Sequence, residues 1–598
     1  MGQLALFGVY PWVSTWLTPL WLMSVGVVCG LIVLVAVWGL AAAAARVPAL
    51  GKLADDPRLR IKLATAGMLI TVPIYWWLVS KAWFGGGNSL GANFFFGAIA
   101  LVPICWILPY AFIMLMARRT VSEVKSAVQE GVLLPLFWLA VVFAVFSVVG
   151  FLAVRTPGDF LTSIKRWQST GDFVSMHTLP AGGRRGGSDG AFSDAQVQPI
   201  DVNFRRSELR RLIFQSTERL EVTTAALKEN LTSGRSIEVS ANAGTSEIVQ
   251  WLVNPQTLTF DFVDEQVSKL YVRNLGEKPA TLLLTVVTAP PIPEVATIPI
   301  TAISVVAVFL LYILQRAAMP RLSAVALSTF KSEVAQPLFA ILLILGTVAL
   351  LLFVIIPYNT FGEDIKMLKD SGMALITVLA LIQAIWAAST SISEEIEGRT
   401  ALTVLSKPIN RRSFIIGKFV GITWTVALIF IILGLVLLVT VAYKPIYDVR
   451  EGASYQTPEG ITLEEATWQM CHAEMVGLVP GLLLAFMQTM VLAAISVAIS
   501  TRLPMMANFI LCFTVYVLGN LAPMIVQSSN EQFVLVKFFG QLIATVFPNL
   551  ENFNIQAAVA AGKVVPLLYL AGAFLYCMIY TVIAMLLALI MFEDRDLA

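Results

Sequence analysis

The sequence has little charge and few of the residues that bind metals or form disulfides. Charged residues make up 13% of its 598 residues, whereas soluble domains carry about 25%. Only 2 His and 5 Cys are present, which excludes a His-rich metal enzyme and a disulfide scaffold. The 40 Lys and Arg nearly balance the 38 Asp and Glu, so a basic nucleic-acid-binding protein is excluded as well.

Long apolar runs take the place of charge. Hydrophobic residues reach 58%, and the mean hydropathy is +0.80. A helix that crosses a bilayer needs about 20 apolar residues, since its backbone must be satisfied internally. The sequence therefore predicts an all-α polytopic membrane bundle of about eleven spans. The eleven charge-free runs are 20–45, 63–80, 92–117, 132–154, 296–315, 337–357, 372–393, 419–442, 476–501, 503–525 and 564–592.

The distribution of Lys and Arg predicts the orientation. With the C-terminus inside, the short inner segments hold 18 Lys and Arg and the short outer segments hold 7. Because basic residues are retained on the cytoplasmic side, we expect the N-terminus outside and the C-terminus inside, in the cytoplasmic (inner) membrane. Residues 1–19 carry no charge, so they lack the basic start of an ordinary signal peptide. The sequence also permits an additional, shallow membrane helix within 3–18.

The alternation of spans divides the chain into four parts. Residues 1–154 hold four spans, 296–318 the fifth, and 319–598 the remaining six. The intervening segment 155–295 contains 15 Lys and Arg and 16 Asp and Glu, which predicts a solvated domain outside the membrane. Its Gly-rich stretch 181–190 is typical of a linker.

Short runs with strand character follow that linker, and they predict a β-sandwich-like domain. The runs are Ile237–Ser240, Ile248–Leu252, Thr257–Val263, Lys269–Val272 and Ala280–Thr288. A turn is expected at 274–279, between the last two of them.

The sequence lacks the phosphate-binding loop of nucleotide hydrolases. No G-x-x-x-x-G-K-[ST] loop occurs, so we expect ATPase activity only on a partner chain. No H-E-x-x-H motif occurs either. The letters G-x-S-x-G occur at 87–91 and 186–190, both in Gly-rich segments between predicted elements, so we expect no catalytic residue and no cofactor here. The apolar runs also lack carboxylates, which disfavours a proton- or sodium-coupled carrier without excluding one that uses backbone carbonyls.

Two smaller patterns have alternative interpretations. Gly26/Gly30 and Gly417/Gly421 match G-x-x-x-G, which indicates close helix packing or, alternatively, a dimer face. Soft ligands that would suit Cu(I) cluster on the outer side at Met470, Cys471, His472 and Met475. The other interpretation of that cluster is a loop before the membrane with its sulfur side chains in the interface, and we expect no metal site.

Residues 394–418 join the seventh and eighth predicted spans at the inner surface. Glu394 and Glu397 are three residues apart and share a helix face. A short apolar helix over about 400–406 is expected next, and Pro408 ends it because it disfavours helix at Lys407. A soluble partner could hold such a helix. Alternatively, the segment is an interfacial loop whose Arg and Lys bind lipid headgroups.

This segment resembles the coupling segment of type-2 ABC-transporter permeases, and most closely the branch linked to maturation of multicopper enzymes such as nitrous oxide reductase. Residues 322–336 resemble the elbow helix of that family, and 547–554 and the tail 592–597 also fit. The resemblance covers about 322–598. The matching residues are Glu395, Glu397, Thr400, Leu405, Ser406, Lys407, Pro408, Arg411, Gly417 and Lys418.

The resemblance implies the membrane subunit of an ATP-driven transporter. Two permease cores, from a second copy or a relative, would bind two ATP-binding subunits that carry ATP and Mg. Leu402 and Leu405 would fill a groove on that partner, and Glu395 and Glu397 would pair with a nearby Arg or Lys, such as Arg399 or Arg411. The coupling site would comprise Glu394, Glu395, Glu397, Arg399, Thr400, Leu402, Leu405, Lys407, Pro408 and Arg411.

Two other functions stay open. In the first, ATP hydrolysis inside moves or anchors the 155–295 domain outside, and nothing crosses the membrane. In the second, the chain is a carrier that uses no ATP. The substrate, the direction of movement and the role of the first five spans do not follow from the sequence.

Overall fold

A computed structural model describes most of the chain. The described residues are 11–47, 54–84, 105–106, 109–151, 157–166, 170–180, 197–205, 208–223, 236–239, 241–242, 245–246, 249–252, 266–275, 278–290, 292–356, 363–395, 410–451, 468–529, 538, 542, 547–563 and 565–593. The chain divides into two units, a helical one that includes Ile298–Ala598 and a β-rich one that includes Arg155–Thr297.

The helical elements are numbered in chain order. The first five are α1 (Pro11–Arg46), α2 (Pro57–Phe84), α3 (Arg118–Glu130), α4 (Leu133–Gly150) and α5 (Pro157–Arg166). The next five are α6 (Thr297–Ala318), α7 (Pro320–Ala335), α8 (Pro337–Ile355), α9 (Asp364–Ala388) and α10 (Arg411–Glu451). The last four are α11 (Trp468–Ser500), α12 (Met505–Ser529), α13 (Gln556–Ala560) and α14 (Leu567–Glu593).

Within the described residues, eight helices are long and apolar enough to cross a membrane. The chain is therefore a multi-pass membrane protein. Each of the eight overlaps most of one predicted run, since long apolar stretches are the strongest signal in such a sequence. The other three runs, 63–80, 92–117 and 503–525, extend into residues whose side chains or placement lie outside the described part. The count of eleven stays a prediction.

Helix α1 begins earlier than predicted. Residues from Pro11 onward already belong to it, so 11–18 is not a separate helix but the start of the helix that forms the first span. The reason is composition, because 11–19 carries no charge and the helix accommodates its internal proline, Pro19. Residues 1–10 lie outside the description.

The pair Gly26/Gly30 packs α1 against α6. A Cβ at Gly26 would lie 2.7 Å from Cβ of Thr301, and one at Gly30 would lie 3.0 Å from the Ala302 carbonyl oxygen. Only glycine permits this approach of two backbones. The motif therefore packs helices within the chain.

Three helices form the centre of the larger unit. In α9, α10 and α11, 67% of the most apolar window is buried, against 22% in α14 and 28% in α8. Buried glycines bring the central helices together, since a Cβ at Gly372 of α9 would lie 2.5 Å from a methyl group of Leu437 in α10. The less buried helices leave apolar side chains facing outward, as lipid contact requires.

The smaller unit contains two four-stranded antiparallel sheets, with strand orders β1-β10-β3-β8 and β2-β9-β4-β5. Strands β6 and β7 form a separate two-residue pair. The strands are β1 (Asp172–Leu179), β2 (Val197–Arg205), β3 (Leu209–Ser216), β4 (Leu220–Thr223), β5 (Ser236–Val239), β6 (Ala241–Asn242), β7 (Thr245–Ser246), β8 (Val249–Leu252), β9 (Gln266–Asn274) and β10 (Ala280–Thr288).

One apolar core draws on both sheets, with Leu212 and Leu284 from one and Leu270 and Val272 from the other. Burial alternates strictly along β10, as expected of a strand with one face toward a core. Four of the predicted strands correspond to β5, β8, β9 and β10, whereas 257–263 lies outside the described residues. The strands β1 to β4 were not predicted.

Candidate functional site

The two ends of the predicted coupling segment are joined by an ion pair. Helix α9 continues into a π-helical turn, Ser389–Glu394, and α10 begins at Arg411. Across this gap the ammonium group of Lys418 donates to the Glu395 carboxylate at 2.5 Å. The Lys418 side chain is 7% exposed and that of Glu395 31%, so the pair is largely shielded from water. Lys418 was part of the family pattern, but its pairing with Glu395 was not predicted.

A second contact connects the start of α10 to the end of α14. The guanidinium of Arg411 donates to the main-chain carbonyl of Glu593 at 3.2 Å. The rings of Phe414 in α10 and Phe592 in α14 stack on each other, with centroids 5.9 Å apart. A cation that binds the free carbonyls at a helix C-terminus is stabilising. The end of helix α14 is thereby tied to Arg411, the first residue of α10.

The segment 322–336, predicted to be an elbow helix, coincides closely with α7, which begins at Pro320 and ends at Ala335. It packs on α10 through Gly417 and Gly421. A Cβ at Gly421 would lie 2.7 Å from the Ala326 carbonyl oxygen, and one at Gly417 would lie 2.8 Å from Cβ of Val325. The second G-x-x-x-G pair therefore also packs helices within the chain, and it fixes α7 against the beginning of α10.

Helix α7 also contacts the π-helical turn through a buried carboxylate. Glu333 is 1% exposed, and its Oε1 accepts from the Thr390 hydroxyl at 3.1 Å. Beside it, the indole N–H of Trp386 donates to the Gln336 amide oxygen at 2.5 Å. A buried carboxylate is costly unless it is hydrogen-bonded, so these contacts fix the spacing between α7 and the end of α9.

A buried polar cluster holds the other side of the π-helical turn. The side-chain amide nitrogen of Asn508 in α12 lies 2.8 Å from Oγ of Ser389, 2.9 Å from that of Ser496 and 2.8 Å from that of Ser500. The Ser393 hydroxyl donates to the Leu503 carbonyl at 3.2 Å. The turn is thus anchored to α11 and α12. π-Helical turns are rare and are frequent at functional sites.

Most predicted coupling residues lie outside the described part of the chain. These are Glu397, Arg399, Thr400, Leu402, Leu405, Lys407 and Pro408. For Glu394 only the backbone is described, as the last residue of the π-helical turn. The predicted pairing partner Arg411 contacts α14, and the described partner of Glu395 is Lys418. The helix expected over about 400–406 stays a prediction.

The soft-ligand cluster lies in a helix, and the prediction of a loop before the membrane was wrong. Met470, Cys471, His472 and Met475 belong to the first two turns of α11. Cys471 and Met475 are buried in apolar surroundings, and the ring of His472 packs edge-on against Trp468 at 6.2 Å. Among the described residues no group of three His, Cys, Asp or Glu side chains could hold a metal ion.

A buried ion pair lies in the same turns of α11. Lys369 of α9 is 1% exposed and pairs with Glu474, which is 36% exposed. The spans themselves carry no charge, so this pair at their ends was not predicted. It fastens the first half of α9 to the start of α11, at the opposite end of α9 from the π-helical turn.

We expect Glu474→Gln to lower the stability of the protein by about 2 kcal/mol, because it leaves the Lys369 ammonium buried without an anion. Thermal unfolding of the purified protein measures the effect. Glu363→Gln is the matched control, since it removes an exposed pair with Lys366 from the start of the same helix α9 and should change little. The double variant Lys369→Met/Glu474→Gln should recover most of the loss; equal losses in all three variants would contradict the assignment.

No protein-family model matches this sequence, and no curated protein matches it.

Proposed function

We propose that the chain is the membrane-spanning permease subunit of an ATP-binding-cassette transporter, in which a separate subunit hydrolyses ATP. The observation that carries the proposal is the way the ends of segment 396–409 are held. Glu395 and Lys418 pair across it, Arg411 binds the end of α14, and α7 packs on both flanking helices. A segment held in this manner transmits displacement to several helices at once.

The mechanism follows from these contacts. When ATP binding closes the partner subunits, they move the helix proposed at 400–406, whose Leu402 and Leu405 fill a groove on the partner. The displacement passes through the Glu395–Lys418 pair to α9 and α10, and through Arg411 to α14. A bundle with an inward and an outward packing is then biased toward one of them. Two such cores, each with an ATP-binding subunit, complete the transporter.

The finer topology belongs to the same proposal. We infer eleven spans in the cytoplasmic membrane, with the N-terminus outside and the C-terminus inside, because the short inner loops carry most of the Lys and Arg. The two sheets of the smaller unit would then form a β-sandwich on the outer side. The 15 Lys and Arg and 16 Asp and Glu of segment 155–295 fit a solvated domain.

Leu405→Asp is expected to abolish the stimulation of ATP hydrolysis that the permease gives its partner subunit. A carboxylate cannot occupy an apolar groove without losing its hydration. ATP turnover of the reconstituted complex measures this, with the ATP-binding subunit alone as the baseline. Glu397→Gln should act in the same direction.

Met506→Asp is the matched control, because Met506 is 76% exposed at the start of α12 and lies outside the coupling segment. Full stimulation in the Leu405 variant would reject the coupling role. ATP hydrolysis by this chain without a partner would reject the proposal itself. Stimulated hydrolysis without movement of any solute, together with movement of the outer domain, would favour the anchoring alternative.

A further inference from the structure

A groove open on one side lies among α1, α3, α4 and α6. Its free volume is about 160 Å³, and every lining residue except Thr120 is apolar. The floor is buried and includes Ala41, Phe309 and Ile313, whereas Val35 and Trp38 at the rim are exposed. Apolar side chains at a membrane-facing rim around a buried floor leave a slot that a narrow apolar chain can fill.

Helix α3 supplies one wall and has the pattern of an interfacial helix. Val121, Val124 and Val128 recur at helical spacing and line the groove. The positions between them are polar, including Ser122 and Gln129, which are exposed. Such a helix lies at the boundary between headgroups and acyl chains. The groove therefore runs from the depth of the bilayer to its surface.

Arginine side chains lie at the end of the groove that reaches the bilayer surface. The guanidinium of Arg118 donates to the Ala45 carbonyl at 3.1 Å, one turn beyond Ala41 of the floor. Arg316 donates to the Ser126 hydroxyl at 3.0 Å, three residues beyond Ile313. Arg46 lies in the last turn of α1. The Asp55 carboxylate accepts from the main-chain N–H of Arg118 at 3.2 Å. The segments 46–62 and 118–131 together contain 8 Lys and Arg against 4 Asp and Glu, so positive charge is in excess.

We propose that the groove binds one acyl chain of an anionic phospholipid, with the phosphate at Arg118 and Arg316. The slot matches a hydrocarbon chain in polarity, and the arginines at its end select an anionic headgroup by charge complementarity. An extended protein segment would bring backbone N–H and C=O groups that an apolar lining could not satisfy. A helix satisfies its own backbone but is about 10 Å across, which is too wide for a slot of about 160 Å³. The inference depends on the membrane assignment and not on the proposed transport function.

Leu310→Trp tests the acyl site, because Leu310 lines the groove and an indole would fill it. Leu311→Trp is the matched control, since the next residue of the same helix is 63% exposed and is not part of the lining. The full chain is purified from bilayers of equal palmitoyl-oleoyl phosphatidylglycerol and phosphatidylcholine, and retained lipid is counted by native mass spectrometry. We expect one phosphatidylglycerol per chain in the wild type and in Leu311→Trp, and none in Leu310→Trp.

Arg316→Gln tests the headgroup. It should lower the preference for phosphatidylglycerol about fivefold while one lipid stays bound, and Arg502→Gln, at an exposed inner arginine, should leave the preference unchanged. Should Leu310→Trp not fold, Val121→Phe takes its place. The proposal is overturned if the wild type retains no lipid, if the Leu310 and Leu311 variants retain it equally, or if filling the groove instead separates a dimer, because a second copy would then be the occupant.

Discussion

Lys418→Glu is expected to reduce the stimulated ATP hydrolysis of the reconstituted complex to the rate of the ATP-binding subunit alone. The substitution replaces the ammonium group that lies 2.5 Å from Glu395 with a second carboxylate. Because Glu395 is 31% exposed, losing the pair and placing two carboxylates together costs about 2–3 kcal/mol, and each 1.4 kcal/mol is a factor of ten in an equilibrium. The flanks of segment 396–409 would therefore separate, and displacement of the segment would no longer reach α9 and α10.

The charge-exchanged double variant Glu395→Lys/Lys418→Glu distinguishes this role from a general loss of stability. It restores an ion pair at the same place, so stimulation should return in large part. The control is Arg412→Glu, an exposed position six residues before Lys418 on α10, which should keep most of the stimulation. A double variant as inactive as Lys418→Glu, with both proteins folded by size-exclusion and thermal unfolding, would show that the pair does not couple the two flanks.

The membrane helices could be predicted because their signal is local. Each long apolar run must satisfy its own backbone, so length and composition suffice. The start of α1 was missed because composition does not mark where a helix begins: 11–19 is less apolar than the run that follows it, yet it carries no charge and continues the same helix. Both G-x-x-x-G pairs were recognised in the sequence as packing motifs. The helices against which they pack, α6 and α7, could not be predicted, because that pairing depends on the tertiary structure.

The β-rich unit was predicted only in part because its pairing is non-local. Strands β9 and β10 are consecutive and the turn between them was expected, yet they lie in different sheets. Strand β3 carries two adjacent exposed arginines, Arg210 and Arg211, which hide its alternation. Strand β1 precedes the Gly-rich linker, and its partner β10 lies about a hundred residues later in the chain. No local pattern encodes such a partner.

The sequence indicated a candidate coupling segment, but it did not indicate the contacts that the structure shows at the two ends of that segment. Glu333 was the residue with the clearest overlooked signal, since it continues the buried stripe of Leu322, Ala326 and Phe330 along α7. A carboxylate on the apolar face of an amphipathic helix indicates a buried partner. Ser496 and Ser500, four residues apart in α11, gave a similar signal for the cluster around Asn508.

Gly421→Val is expected to have the largest effect on folding. The added Cβ would lie 2.7 Å from the Ala326 carbonyl oxygen and 2.7 Å from Cβ of Thr329, and neither atom is the flexible end of a side chain. Overpacking costs about 1–3 kcal/mol where neighbours can shift, and here α7 as a whole would have to move away from α10. That shift would also disturb the hydrogen bond between Glu333 and Thr390, so the stability and the coupling should fall together.

Gly434→Ala in the same helix is the matched control. Its Cβ would meet only a methyl group of Leu482 at 3.4 Å, which is ordinary contact, and alanine is favoured over glycine in a helix by about 1 kcal/mol. Thermal unfolding in detergent should therefore give a lower midpoint for Gly421→Val and an equal or higher one for Gly434→Ala. Equal midpoints for the two variants would mean that α7 does not pack closely on α10. The start of α10 would then not be held by α7. The proposal that displacement of the coupling segment passes through α7 would be rejected, even if the Glu395–Lys418 pair were confirmed.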